Sequence, residues 1–336
     1  MQPSLQPTIR SDAVPVIDLS PYFNGNTAER KQVARTINDA CRSIGFLIIS
    51  GHGVPESLIE DAQNVSRAFF DLPLDVKSKI FRKAPGSFRG YRGLEASVLA
   101  YSRDDKDAAP DHRELFSFGP LDIDPTDSYY TSEQGARSII PNVWVDAIPG
   151  FETTLRAYYR AMESLSLALM RLFALGLDLD ERWFDQMVDK HVSAFQLSNY
   201  PEQIQEPKKG QLRASAHSDW GSLTILKAED KPGGLEVFTC EEWRPVPIVP
   251  NTFIVNIGDM MARWTNDRWV STLHRVVNPP RDKTGASRRL SLVFFHNPNY
   301  DALVECIPTC LHGAAKYPAV TSGDYLRMRV AQTFKS

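Results

Sequence analysis

The 336-residue chain is poor in cysteine: Cys41, Cys240, Cys306 and Cys310 are its four, and none forms the close pairs of a zinc knuckle. Cys306 and Cys310 flank Ile-Pro-Thr, a setting that suits a reduced, buried pair better than metal or redox chemistry. An excess of positive charge is also missing. The 38 basic and 41 acidic residues leave a net charge of −3, which excludes a nucleic-acid backbone as the main partner. No apolar run approaches the roughly 20 residues of a spanning helix, and residues 1–15 are polar, without the apolar centre of a secretory signal. Internal repeats and low-complexity tracts are lacking too. These absences predict a soluble, cytoplasmic protein, monomeric or weakly self-associating, with neither membrane nor nucleic acid as a partner.

What is present is a large core in the making, with 42% hydrophobic residues. A short β-rich run at 14–19 precedes a helix that Thr27 is placed to cap, with Val33, Ile37 and Cys41 recurring along one face. The glycine-bounded run 45–49 suits a buried strand, and Pro55 opens a second helix that Pro73 ends. Residues 85–111 are rich in Gly, Arg and Asp and read as a long loop. A long helix is expected over 151–175, with Leu155, Tyr158, Met162, Leu165, Leu169, Leu172 and Phe173 as its apolar stripe. Beyond His191 the pattern changes to strands at 193–199, 222–227, 234–238, 252–257, 272–277, 289–295 and 303–307, separated by turns such as Lys231-Pro-Gly-Gly. Antiparallel strands of this kind favour a sandwich or jelly roll. A helix of mixed charge over 322–333 closes the chain.

The chemistry is concentrated in His217-Ser218-Asp219 and, 55 residues after the aspartate, His274. On a strand, residues i and i+2 share a face, so His217 and Asp219 can address one point, and a neighbouring strand can bring His274 beside them. Two imidazoles and a carboxylate make a facial triad for Fe(II), with three positions open. The same residues also fit a simple strand cap. Fifteen residues after His274, Arg289-Leu290-Ser291 places a guanidinium and a hydroxyl on one face, suited to a carboxylate. The competing reading is a structural arginine paired with an acid.

Together these residues resemble the isopenicillin N synthase-like branch of the Fe(II)/2-oxoglutarate-dependent dioxygenases. The likeness is carried by HSDWGSLTIL (217–226), GGLEV (233–237), VNIGDMMARW (255–264), STLHRVVNPP (271–280) and RLSLVFFHNPN (289–299). VPVIDLS, GFLIISGHGVP, AFFDLP and FRGY carry it in the N-terminal half. The resemblance implies an α+β fold with a mainly β core: a double-stranded β-helix (jelly-roll) barrel with supporting helices and an N-terminal α/β extension. It divides the chain into an N-terminal region (1–125), helical support (126–190), the catalytic core (191–315) and a C-terminal helix (316–336). It implies further that His217, Asp219 and His274 ligate iron and that Arg289 and Ser291 hold the distal carboxylate of 2-oxoglutarate. Tyr200, in Asn199-Tyr200-Pro201, is similar to a tyrosine that contacts the cosubstrate, although a packed aromatic at a strand end reads equally well. Two departures are visible: the family's usual Asn-Tyr-Tyr-Pro is here Ser198-Asn199-Tyr200-Pro201, and Arg288 precedes the expected arginine.

Charge supports the cosubstrate. Fe²⁺ with one aspartate leaves +1, and a 2-oxoglutarate dianion with Arg289 adds −1, so the assembled site is neutral and less costly to bury. The implied reaction consumes O₂ and 2-oxoglutarate, releases succinate and CO₂, and hydroxylates or desaturates a small-molecule substrate. Arg89, Tyr91, Arg92 and the 114–118 stretch belong to the half that, in this family, folds over the barrel mouth. Arg89 or Arg92 is placed to meet an anionic substrate, and Phe116, Phe118 or Phe295 to wall an apolar one. Surface arginines and core phenylalanines are the competing reading, and 101–112 is the candidate lid. From His274 onward the chain is similar to pyrimidine-hydroxylating and bacterial small-molecule members. Two other functions remain open: an iron oxidase like isopenicillin N synthase that uses no 2-oxoglutarate, and a zinc hydrolase or metal-stabilised binding protein.

Overall fold

A computed structural model describes residues 13–333 except 85–86, 104 and 106. The polar stretch 1–15 falls almost wholly outside the described residues. The N-terminal half contributes five strands: β1 (Val16–Asp18), β2 (Phe46–Ser50), β3 (Phe81–Ala84), β4 (Ser87–Arg92) and β5 (Glu114–Phe118). Among the strands that follow the long helix, eight join them in the two large sheets: β6 (Ala194–Tyr200), β7 (Ala214–His217), β8 (Leu223–Ala228), β9 (Leu235–Thr239), β10 (Glu242–Pro245), β11 (Phe253–Ile257), β12 (His274–Val276) and β13 (Arg289–His296). They form a nine-stranded sheet in the order β1-β2-β11-β8-β13-β6-β5-β4-β3 and a four-stranded sheet in the order β10-β9-β12-β7.

Strict alternation gives the large sheet two different faces. Leu47, Ile49, Phe195, Leu197, Ile225, Val255, Leu290, Leu292 and Phe294 pack into one core with the helices Thr27–Ser43, Glu56–Phe70 and Phe151–Gly176. Their neighbours in sequence point the other way. Phe46, Ile48 and Ile254 meet Ala214, Leu235, Val237 and Val276 of the small sheet in a second core. The layers are therefore helices, large sheet, small sheet, and the space between the two sheets is where functional side chains collect. This is the expected α+β architecture with a mainly β core. The barrel differs from expectation, because the two sheets face each other without hydrogen-bonded closure into one cylinder.

The long helix runs Phe151–Gly176 and buries Leu155, Tyr158, Met162, Leu165, Leu169, Leu172 and Phe173, as its periodicity predicts. Each such side chain contributes roughly 1.5–3 kcal/mol on full burial. The first long helix is capped one residue earlier than expected. The Asn26 side chain accepts from Ala28 and Glu29 N–H while Glu29 answers to the Asn26 N–H, a reciprocal pair that leaves Thr27 as the first helical residue. Gly45, at φ +68°, opens β2; a Cβ there would lie 2.1 Å from the Val270 carbonyl oxygen, so only glycine lets the two segments meet.

The expected 85–111 loop is in part a hairpin. β3 and β4 pair at the edge of the large sheet, and a 3-10 turn covers Leu99–Arg103. Pairing to β5 gives this segment order that its own polar, glycine-rich sequence does not announce. The 303–307 strand shortens to Leu303–Val304, because Ile307 donates its N–H to the Trp264 carbonyl instead of a ladder. The closing helix is Ser322–Thr333, as expected. All four cysteines are free. Among the described residues no helix is long and apolar enough to cross a membrane.

Candidate metal and cosubstrate site

β12 pairs with β7 so that His274 stands directly opposite His217, their ring centroids 4.3 Å apart. β7 ends at His217, so Asp219 is not the strand neighbour that alternation would make it. It sits in the turn that follows, where Asp259 N–H donates to the Asp219 carbonyl at 2.7 Å. Two glycines allow this turn to close: a Cβ on Gly258 would lie 2.1 Å from the Gly221 carbonyl oxygen.

Each of the three side chains is held by one polar atom and leaves another free. His217 Nδ1 is 2.8 Å from the Ser215 carbonyl and His274 Nδ1 is 3.1 Å from that of Thr272, which fixes both rings with Nδ1–H donating and Nε2 presenting its lone pair. Asp219 Oδ2 accepts from Thr224 Oγ1 at 2.6 Å and from Asn256 Nδ2 at 2.8 Å. Oδ1 is left facing the two Nε2 atoms, 3.8 Å from His217 and 3.7 Å from His274. One ligand atom from each residue lies within 4.8 Å of the others. Burial, reinforced by the second imidazole, pushes His217 down to about 3, so it stays neutral. Burial would raise the Asp219 carboxyl, but His274, His217 and the two hydrogen bonds outweigh it and hold the group ionised below its usual range. A buried anion beside two imidazole nitrogens fits a divalent cation.

The inner face of the large sheet supplies the rest. Arg289 lies opposite Tyr200 across the β13–β6 ladder and Ser291 lies opposite Ser198, so all four share that face. Arg289 is 2% exposed. Its Nη1 donates to the Gly233 carbonyl at 3.3 Å, and its Nε is buried without a partner among the described residues. An orphaned buried donor on a guanidinium is what an incoming carboxylate would satisfy. Arg288 turns to the opposite face, where it meets Asp71 at 2.6 Å and the Asn199 side chain, so the doubled arginine does not compete. Tyr200 is buried with Arg213 above its ring.

The candidate substrate residues divide by parity. Phe116 pairs with Leu197 and Phe118 with Phe195, which puts both rings on the helical face, where Phe116 touches Phe69 and Phe118 touches Trp144. Tyr91 lies opposite Phe116 on the same face and donates to Glu114 at 2.6 Å. Arg89 shares that parity, and its guanidinium lies against Gly119 on the Tyr159 side of the sheet. These four side chains lie on the helical face, away from the space between the two sheets. Arg92 lies opposite Leu115 on the inner face. Phe295 lies there too, half-buried and opposite Thr224. In the expected lid, 104 and 106 are outside the described residues; the adjoining 3-10 turn packs against β7 and the C-terminal helix. Sequence reasoning missed Thr224 and Asn256, whose types carry no signal until Asp219 is placed between them.

A metal-ready His-Asp-His group between two sheets, with a buried arginine on the facing wall, defines a non-haem metal oxygenase. Residues 191–298 match the 2OG-Fe(II) oxygenase superfamily, and residues 14–147 match the family described as non-haem dioxygenase in morphine synthesis N-terminal. The chain is 31% identical over 330 residues to the 2-oxoglutarate-Fe(II) type oxidoreductase hxnY of Emericella nidulans, covering 96% of this chain and 90% of that protein. It is 31% identical to a homoarginine-6-hydroxylase of Oryza sativa subsp. japonica, covering 96% and 98%. The crystal structure of a full-length Neurospora crassa protein in complex with alpha-KG and thymine superposes with a TM-score of 0.82 at 30% identity, over 97% of this chain and 99% of that one.

The chain belongs to the 2OG-Fe(II) oxygenase superfamily. It is an enzyme, an Fe(II)- and 2-oxoglutarate-dependent oxygenase that acts on a small molecule.

Proposed function

We propose that His217, Asp219 and His274 ligate the Fe(II), that Arg289 and Ser291 hold the distal carboxylate of 2-oxoglutarate, and that Tyr200 contacts the cosubstrate beside them. The observation that carries this reading is the set of free atoms. Two Nε2 lone pairs and one carboxylate oxygen converge while every neighbouring polar atom of those side chains is occupied. The unpartnered Nε of Arg289 waits on the facing wall. When bound, Fe(II) with 2-oxoglutarate and O₂ supplies oxidative decarboxylation to succinate and CO₂ and removal of a substrate hydrogen. The chain's residues orient and enclose. Thr224 and Asn256 fix the carboxylate, the backbone carbonyls of Ser215 and Thr272 fix the rings, and Phe295 walls the substrate side.

The two facing sheets are read as the halves of a jelly roll. Residues 191–315 act as its catalytic core, 1–125 as the N-terminal region, 126–190 as helical support and 316–336 as a covering helix. Hydroxylation or desaturation of a metabolite in the cytoplasm, by a monomer or weak homo-oligomer, is the reading that follows. One relative crystallised with thymine and another named for homoarginine favour a substrate among small polar molecules. The test is anaerobic addition of Fe(II) and 2-oxoglutarate to the purified protein. A visible charge-transfer band in the wild type and its loss in Arg289→Ala support the assignment; a band unchanged by that substitution refutes the role of Arg289.

A further inference from the structure

A second buried arginine on the inner face is left without work by the metal and the cosubstrate. Arg113 immediately precedes β5 and shares the parity of Leu115 and Ser117, which lie opposite Ser198 and Gln196. It is 6% exposed, and its Nε is buried without a partner among the described residues. Among the described residues its guanidinium donates no hydrogen bond, and its nearest acid is Asp111 Oδ2 at 3.6 Å. That acid is already committed: Oδ1 accepts from the Ser215 N–H at 2.8 Å and Oγ at 2.7 Å, and Oδ2 from the Leu99 N–H at 3.0 Å. Ser215 is also the residue whose carbonyl holds His217, so Arg113 stands beside the metal-binding strand.

The donors of a buried guanidinium need acceptors, and among the described residues none accepts from the Arg113 Nε. Arg92, on the same face, loses proton affinity first through burial and then through Arg113, which places the second guanidinium near the Arg113–Asp111 pair. A neutral carbonyl would only fill the donors; a carboxylate would fill them and supply a second negative charge where two guanidiniums share one buried acid. β5 is two strand spacings, about 10 Å, from β13, which separates this wall from the arginine assigned to 2-oxoglutarate.

We propose that Arg113, with Arg92 beside it, binds a carboxylate of the substrate, so that the enzyme acts on a small carboxylic acid. The proposal rests on the iron and 2-oxoglutarate reading of the same cavity.

The experiment uses the full chain with Fe(II) and 2-oxoglutarate under argon, and reads the shift of the charge-transfer band on titration with matched pairs: benzoate and benzamide, phenylacetate and phenylacetamide, hexanoate and hexanamide. At least one acid is expected to shift the wild-type band with an apparent Kd at least about tenfold below that of its amide, and Arg113→Gln to erase that difference. Arg113→Met, which leaves Asp111 its three neutral donors, is expected to stay folded by circular dichroism and to lose the acid preference as Arg113→Gln does. Equal response to acids and amides, no response to any acid, or an acid preference that survives in Arg113→Gln overturns the proposal. Absence of the band in the wild type before any acid is added refutes instead the cofactor reading beneath it.

Discussion

Asn256 reaches from β11 to Asp219, its Nδ2 2.8 Å from Oδ2, so the carboxylate of one turn is aimed by a strand of the large sheet. Thr224 makes the second bond from the adjacent strand. Loss of either donor frees the carboxylate to rotate and brings Oδ2 into competition for the metal.

Thr224→Val and Asn256→Ala are accordingly expected to weaken Fe(II) binding by about 10–100-fold, the usual effect of losing a ligand's hydrogen-bonded support, with the fold intact by circular dichroism. Thr224→Ser, which keeps the hydroxyl, is expected to stay near wild type. Equal Fe(II) affinity in all three, measured by anaerobic titration, would contradict the aiming role.

Arg289→Lys is expected to raise the KM for 2-oxoglutarate by about tenfold or more, since a single ammonium does not reproduce a two-point grip. Arg288→Lys, on the other face, is expected to leave that KM unchanged. Steady-state succinate formation against 2-oxoglutarate concentration separates the two.

The metal-free protein is expected to lose stability on acidification. His217 titrates near 3 when folded, held down by burial and by His274, against about 6.5 when unfolded. The unfolded chain therefore binds more protons between those values, and stability falls as pH drops through that window. His296, buried and also held well below its usual value, adds the same sign. Thermal melts from pH 7 to 4 on chelator-treated protein check this, and His217→Ala is expected to flatten the slope.

Glu114 anchors the helical face. It accepts from Lys77 Nζ at 2.9 Å, Tyr91 at 2.6 Å and Asn199 at 2.8 Å, all buried. Glu114→Ala strands the Lys77 cation and is expected to destabilise by about 3–5 kcal/mol. Tyr91→Phe is expected to lose about 1 kcal/mol with the substrate KM unmoved. A changed substrate KM in Tyr91→Phe would return that residue to the substrate site.

The difference between Tyr91 and Arg92 marks the limit of the sequence. The triad and Arg289-x-Ser291 were legible because metal and carboxylate chemistry demands particular residue types at a spacing that survives folding. Parity alone separates Phe116 from Leu115, but which parity faces the site depends on pairing with β6, and only the three-dimensional register reveals it. Asp219 was found for a partly wrong reason: the strand stops at His217, and a glycine-dependent turn does the placing. The edge hairpin of β3 and β4 went unseen because its order comes from a neighbour far along the chain.

β13 is the central member of the large sheet, with β8 on one side and β6 on the other. Until its residues leave the ribosome, β1-β2-β11-β8 and β6-β5-β4-β3 have no shared strand and can only form as two separate half-sheets. Pairings this distant in sequence are slow and leave strand edges exposed while they wait. The strand that joins them carries Arg289 and Ser291, so the pocket assigned to 2-oxoglutarate is completed by the same event that closes the nascent chain's open edges. Supplying that metabolite during synthesis or refolding would then act as a folding aid, raising the yield of native protein before any turnover begins.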